Sequence, residues 1–315
     1  MRKRAGIELR LVAALVLVAT ACGPLSARAL TGRAETAPNE VVTIGETTFA
    51  YRSFGAGVPV IFLNRFRATM DHWDPALLNL VATQHRVIVF DNAGVGRSTG
   101  NTPDTFAAMA DDAARFTRAL GIDRADFVGW SIGGMVAQAL LVRHPQLVRR
   151  AVLLATIPPG GTVEQFAPMS DEVRSVVSRP GQGSDQDFLF LFFAPSESSR
   201  NAGRASLARL GMRQGAPSPP VRPEAMRSQV AALIDWYRGA NGILAALRRI
   251  DRPVLVANGY QDVMFSAQQS VVLAREIPTA QLALYPDSGH AFMFQYPELV
   301  GRRLLDFLSA ADERL

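Results

Sequence analysis

Ala125-Asp126-Phe127-Val128-Gly129-Trp130-Ser131-Ile132-Gly133-Gly134 decides how this chain is read. The apolar run Ala125–Val128 reads as a strand, and Ile132–Arg143 reads as a helix that stops before Pro145. Gly129 to Gly133 is a G-x-S-x-G pentapeptide between them. Such a serine sits on a sharp turn that lifts its hydroxyl clear of the sheet edge. Small residues two places either side let the backbone cross closely. The helix N-terminus then offers positive potential and a free N–H, that of Ile132, to a developing oxyanion. The pentapeptide alone arises often by chance, and the bland reading is a Gly/Ser turn. The strand before it and the helix after it favour a nucleophile.

Other elements extend outward from this turn. Val41–Ile44 and Phe49–Phe54 flank a Gly-containing turn, as in a hairpin. Val58–Leu63 and Arg86–Phe90 are almost wholly apolar and suit strands buried on both faces of a parallel sheet. Thr105–Leu120 has helical apolar spacing and ends at Gly121. Ala151–Leu154, Pro253–Ala257 and Gln281–Tyr285 read as strands, and Ala267–Glu276 and Pro297–Ala310 as helices. The alternation predicts an α/β fold with a parallel sheet covered by helices on both faces. It is interrupted over residues 157–249, which read as an insertion covering one end of the sheet.

A serine nucleophile needs a base, and the base needs an orienting acid. The chain has four histidines. His144 ends a helix, and His85 precedes a strand and reads as exposed. His72 could line a site but has no obvious acid. His290 follows the last strand, in Asp287-Ser288-Gly289-His290, and is the best base. Asp262, just past the strand Pro253–Ala257, is the preferred acid; its bland role is to cap the next helix. Asp287 is a backup. Ser, Asp and His in that order at three strand ends are far more specific than any one of them.

With these pieces in place, Val41 to Leu315 resembles the α/β-hydrolase family. The matching segments are GWSIG (129–133), DNAGVGRS (91–98), NGYQD (258–262) and PDSGH (286–290). The resemblance implies a mostly parallel, eight-stranded sheet with a helical cap inserted after the sixth strand. It also implies a triad of Ser131, Asp262 and His290. The Gly94-x-Gly96 loop lacks the lysine of a phosphate loop and in such a family is a structural turn.

One departure stands out. Where the family carries His-Gly after the third strand, this chain has Asn64-Arg65-Phe66. By position the oxyanion donors are the backbone N–H groups of Phe66 and Ile132. Three readings are open. Asn64 and Arg65 rebuild the same turn by hydrogen bonds, or Arg65 or Arg67 recognises a substrate carboxylate, or the oxyanion hole is damaged.

Asp187–Phe193 (DFLFLFF), together with Phe265, Phe292, Met293 and Phe294, suggests an apolar pocket under a cap, against ordinary core packing as the alternative. A weaker idea puts DFLFLFF against a membrane. Arg65, Trp130, Phe265 and Phe292 are the candidate substrate contacts.

Composition closes off other functions. Charged residues make up 19% of the 315, with a formal net charge of +5. Most of that charge lies in the first 30 residues (Arg2, Lys3, Arg4, Arg10 and Arg28 against Glu8), so the body is nearly neutral and carries no nucleic-acid surface. Lys3 is the only lysine, which excludes Schiff-base chemistry, and one cysteine excludes a disulfide framework and a Cys-ligated metal site. The basic start, the apolar run Leu11–Ala19 and the small residues after it have the order of a signal peptide over residues 1–29. Cleavage falls either before Cys22, which would then carry lipid and attach the protein to a membrane, or after Ala27-Arg28-Ala29. Residues 30–40 read as a linker. The expected protein is an exported serine hydrolase of a carboxylic ester or lactone, needing no metal or organic cofactor. A cofactor-free, haloperoxidase-like peroxyacid former and an impaired hydrolase-fold binding protein are the alternatives.

Overall fold

The computed structural model describes residues 32–160, 169–179 and 183–310. The signal segment and Cys22 lie outside them. The described strands are β1 (Glu40–Ile44), β2 (Thr47–Phe54), β3 (Pro59–Leu63), β4 (Arg86–Phe90), β5 (Ala125–Trp130), β6 (Val148–Leu154), β7 (Val254–Gly259) and β8 (Ala280–Tyr285). They form one sheet in the order β1-β2-β4-β3-β5-β6-β7-β8. The β1–β2 hairpin turns at Gly45, whose φ of +61° suits a residue without a Cβ. β2 pairs antiparallel with both β1 and β4, and every other pair is parallel.

The apolar strands are buried on both faces because their side chains alternate. Ile61, Leu63, Ile88 and Phe90 pack against α2 (Phe106–Ala119) and α3 (Ile132–Arg143). Val60, Phe62, Val87 and Val89 pack on the opposite side with α1 (Pro75–Val81) and α11 (Pro297–Ser309). Each such side chain is worth about 1.5–3 kcal/mol on burial. Every residue of α3 from Ile132 to Leu141 is buried, as expected of a helix that is apolar all round. α9 (Ala267–Glu276) crosses between β7 and β8, and α10 (Phe292–Gln295) precedes α11.

Between β6 and β7 stands a helical cap of α4 (Asp171–Val177), α5 (Asp185–Phe192), α6 (Glu197–Leu210), α7 (Pro223–Tyr237) and α8 (Ile243–Leu247). Serines start the first three of these helices. Ser170, Ser184 and Ser196 each accept a first-turn backbone N–H, and Ser184 and Asp187 complete a capping box. The DFLFLFF run is mostly α5, with Leu191, Phe192 and Phe193 buried, so its end packs inward rather than against a membrane. Among the described residues no helix is long and apolar enough to cross one. The cap is tied down at Asp74, which caps α1, accepts from Ser206 Oγ at 2.7 Å and is paired by Arg209 at 2.7 Å.

Two expectations need correction. His85 is buried (3% exposed), with Nε2 3.4 Å from Ser309 Oγ of α11; burial holds its imidazole below the usual range. Residues 30–40 are, where described, no linker. Ala34 and Ala37 are buried, Ala34 donates its N–H to Asn79 Oδ1, and Arg213 donates to the Glu35 carbonyl. The polar look of the segment reflects these hydrogen bonds to the body.

Candidate active site

Ser131 joins β5 to α3 with φ +58° and ψ −121°, a left-handed conformation unusual for a residue with a Cβ. Its N–H donates to the Leu154 carbonyl at 2.9 Å. The glycines around it are sterically required. A Cβ on Gly129 would run into the Gly133 carbonyl, one on Gly133 into the carbonyls of Leu63 and Asn64, and one on Gly134 into the Thr156 side chain. The turn is therefore wedged between the ends of β3 and β6.

His290 lies in the loop after β8 and is 1% exposed. Its Nδ1 is 2.7 Å from Asp262 Oδ2. The other oxygen of Asp262 accepts the N–H groups of Met264 and Phe265, at 2.8 and 3.0 Å. That turn fixes the carboxylate, and the carboxylate fixes the ring. The His290 carbonyl accepts Trp130 Nε1 at 2.9 Å, which ties the base to the residue before Ser131. The next N–H, of Ala291, donates to the Phe192 carbonyl of α5 at 2.8 Å, and a Cβ on Gly289 would crowd the same carbonyl. The backup acid, Asp287, faces elsewhere and accepts from Ser196 Oγ of the cap at 2.8 Å.

The Asn64 turn is built by hydrogen bonds, as the first of the three readings requires. Its Nδ2 donates to the Phe90 carbonyl at 2.7 Å, and its Oδ1 accepts from Trp73 Nε1 at 2.9 Å. Among the described residues, the backbone N–H groups of Phe66 and Ile132 donate to no protein acceptor. Both flank the point where Gly133 meets Leu63 and Asn64. Arg67, one residue on, has φ +55°, and its N–H is taken by Gln229 Oε1 at 3.0 Å.

Ser131, His290, Arg65 and Phe66 line one solvent-open cavity of about 610 Å³, roofed by Phe188 and Phe192 of α5. The guanidinium of Arg65 lies over the Phe192 ring at 4.7 Å and over the Trp130 ring at 5.2 Å. Burial, and after it the charge of Arg67, pull that guanidinium down to about 9, so it stays cationic at neutral pH.

Three expected substrate contacts fall behind the cavity wall. Trp130 packs against Trp73, Phe192 and Phe294 and is 1% exposed. Phe265 backs the His290 ring at 5.6 Å, and Phe292 stacks on Tyr285. Trp130, next to Ser131 at the end of β5, points to the opposite side of the strand, which the motif alone does not show. His72 closes a short turn, its Nδ1 accepting the Thr69 N–H at 3.1 Å. Val176, Val177 and Met264 also line the cavity and carried no sequence signal beyond being apolar. The Gly94/Gly96 loop is a turn around Asp91: Gly96 leaves room for the carboxylate, which accepts the N–H groups of Arg97 and Met70.

Comparison with known proteins agrees with this architecture. The sequence profile described as alpha/beta hydrolase fold matches residues 58–297. A Caulobacter sp. (strain K31) protein provisionally named carbamate hydrolase RutD is 31% identical over 75% of this chain and 85% of its own length. The non-heme chloroperoxidase of Streptomyces lividans is 30% identical over 86% of this chain and 99% of its own. Among solved structures, an alpha/beta hydrolase fold protein from Chitinophaga pinensis superposes with a TM-score of 0.82 at 34% identity, covering 89% of this chain and all of that one. With a nucleophile elbow, an Asp–His pair and a cap on an eight-stranded sheet, this chain belongs to the α/β-hydrolase fold family.

Proposed function

We propose that this protein is an exported serine hydrolase that cleaves a carboxylic ester or lactone through an acyl-enzyme on Ser131. The observation that carries the reading is the Asp262-bound His290 sharing a cavity with Ser131. His290 takes the Ser131 proton through Nε2, and Ser131 attacks the carbonyl carbon. Asp262 holds Nδ1–H toward itself and stabilises the imidazolium that forms. The N–H groups of Phe66 and Ile132 receive the carbonyl oxygen as it gains charge. The imidazolium protonates the departing alkoxide. His290 then activates a water that releases the acid and restores Ser131. None of these steps calls on a metal or organic cofactor.

A serine rather than a carboxylate at the elbow favours this acyl route over an alkyl-enzyme one. Export rests on the order of the first 29 residues, with lipid on Cys22 as the membrane-bound form. The chloroperoxidase relative supports a second reaction of the same site. Hydrogen peroxide would replace water on the acyl-enzyme, giving a peroxyacid and free Ser131.

The test is hydrolysis of p-nitrophenyl esters of increasing chain length by the chain starting near Thr31, beside Ser131→Ala. Turnover lost in the variant supports the reading. Equal turnover in both proteins sinks it. Halogenation of monochlorodimedone in the presence of peroxide, acetate and bromide, which the peroxyacid oxidises to the halogenating species, reads the second reaction.

A further inference from the structure

Arginines drawn into the body are held in two ways: Arg67 and Arg97 donate to backbone carbonyls, and others meet a carboxylate. Arg52 pairs with Asp71, Arg149 with Asp126 and Arg209 with Asp74. Arg65 is half-buried beside Ser131, yet among the described residues no carboxylate lies within ion-pair distance of it. One Nη donates to the Phe66 carbonyl at 2.8 Å. Its Nε is buried with no hydrogen-bond partner among the described residues. Two aromatic faces hold the guanidinium in place through their negative quadrupoles, but they neutralise no charge. Among the described residues, the cavity wall carries Arg65, Arg67 and Arg179 against Asp187, and Asp187 is engaged by Arg179. A charge this desolvated normally has a counter-ion. The second Nη keeps its donors, and a guanidinium edge with donors to spare matches a carboxylate.

We propose that Arg65 is the specificity residue of this site and that the substrate is an ester or lactone bearing a carboxylate. This rests on the serine-hydrolase reading above. The substrate anion supplies the counter-charge that the protein withholds, while Ser131 attacks the ester carbonyl of the same molecule. The aromatic ledge of Phe192 and Trp130 fixes the guanidinium before substrate arrives, so little side-chain freedom is lost on binding.

Two substrate pairs test this: 4-acetoxybenzoate against its methyl ester, and mono-p-nitrophenyl adipate against its methyl ester. Each pair keeps the scissile bond and differs in one charge. In one the carboxylate is on the leaving side, in the other on the acyl side. The wild-type chain should favour the anionic member of at least one pair by about 10- to 100-fold in kcat/KM, the range of one charge-assisted contact. Arg65→Met should reduce that preference to about one, and Arg65→Lys should keep part of it. No preference in the wild type, or a preference that survives in Arg65→Met, overturns the proposal. So does an equal loss on both members of a pair, which would make Arg65 an oxyanion donor.

Failure of the underlying reading looks different. Neither member of a pair would turn over, and a fluorophosphonate would not label Ser131. In that event, calorimetric binding of 4-acetoxybenzoate to Ser131→Ala, lost in Ser131→Ala/Arg65→Met, still reads the anion site. No binding to Ser131→Ala overturns it.

Discussion

Asp262 holds His290 with one carboxylate oxygen and its own turn with the other: Oδ2 lies 2.7 Å from the imidazole Nδ1, and Oδ1 accepts the N–H groups of Met264 and Phe265. The acid is thereby fixed from behind before it fixes the base. That division of its two oxygens leads to the first expected outcome.

Asp262→Asn presents an amide N–H or a weaker acceptor to Nδ1 and favours the wrong tautomer of His290. We expect kcat to fall by about 10³–10⁴-fold with KM little changed. Asp287→Asn should leave kcat within about threefold, because its carboxylate faces Ser196. A comparable loss in both variants would reverse the assignment.

Asn64 satisfies two buried partners at the end of β3, the Phe90 carbonyl and Trp73 Nε1. Asn64→Leu keeps the volume and orphans both. Unfolding in urea should show a loss of about 2–4 kcal/mol. Since the Phe66 N–H rides on this turn, kcat on a neutral ester should also drop by about 10-fold or more. Stability lost with kcat intact would remove the oxyanion role from this loop.

Arg209→Met strips the ion-pair partner from Asp74, whose side chain is fully buried. The expected cost is about 3–5 kcal/mol, and Asp74→Asn in the same chain should recover part of it by removing the unpaired charge. Because Arg209 belongs to α6, proteolysis should cut the cap of Arg209→Met before the sheet. Simultaneous loss of both would make this pair a support of the whole fold.

Burial, opposed by the hydrogen bond and charge of Arg149, raises the Asp126 carboxyl to about 6. Its folded value lies above the ordinary unfolded one near 3.9, so the folded state binds the extra proton between pH 4 and 6. This contribution is fully present below pH 4 and is lost as pH rises through about 6. Melting curves of wild type and Asp126→Asn should therefore diverge across that window. The wild type loses up to roughly 3 kcal/mol relative to the variant, and the gap is constant above pH 7. A gap that does not change with pH contradicts the raised value.

Those parts of the fold that follow from periodicity were legible. Runs such as Val87–Phe90 are apolar at every position because both faces of the strand are covered, and the structure buries them in β4, between β2 and its parallel neighbour β3. The glycines of the elbow were legible for a similar reason, since only a missing Cβ fits against Gly133 and Leu63. Placement within the site was less so. Trp130 adjoins Ser131 in sequence, but alternation along β5 turns it into the core, and Phe292, two residues past His290, opens α10 and is buried on Tyr285. His85 looked exposed because the helix that covers it, α11, comes more than 200 residues later. The distant carbonyl of Phe192, which anchors the loop of His290, has no side-chain signature at all.

That carbonyl joins two jobs that a designer would prefer to keep apart. The last turn of α5 roofs the cavity with its side chains and grips Ala291, next to the base, with its backbone. Point changes at Phe188 can reshape the roof while the grip survives. Exchanging the whole helix for one from a relative moves the grip as well, and the graft would carry its own placement of His290 into the host. Libraries that aim for new substrates in this scaffold should vary the faces of α5 and spare its C-terminal peptide bond geometry.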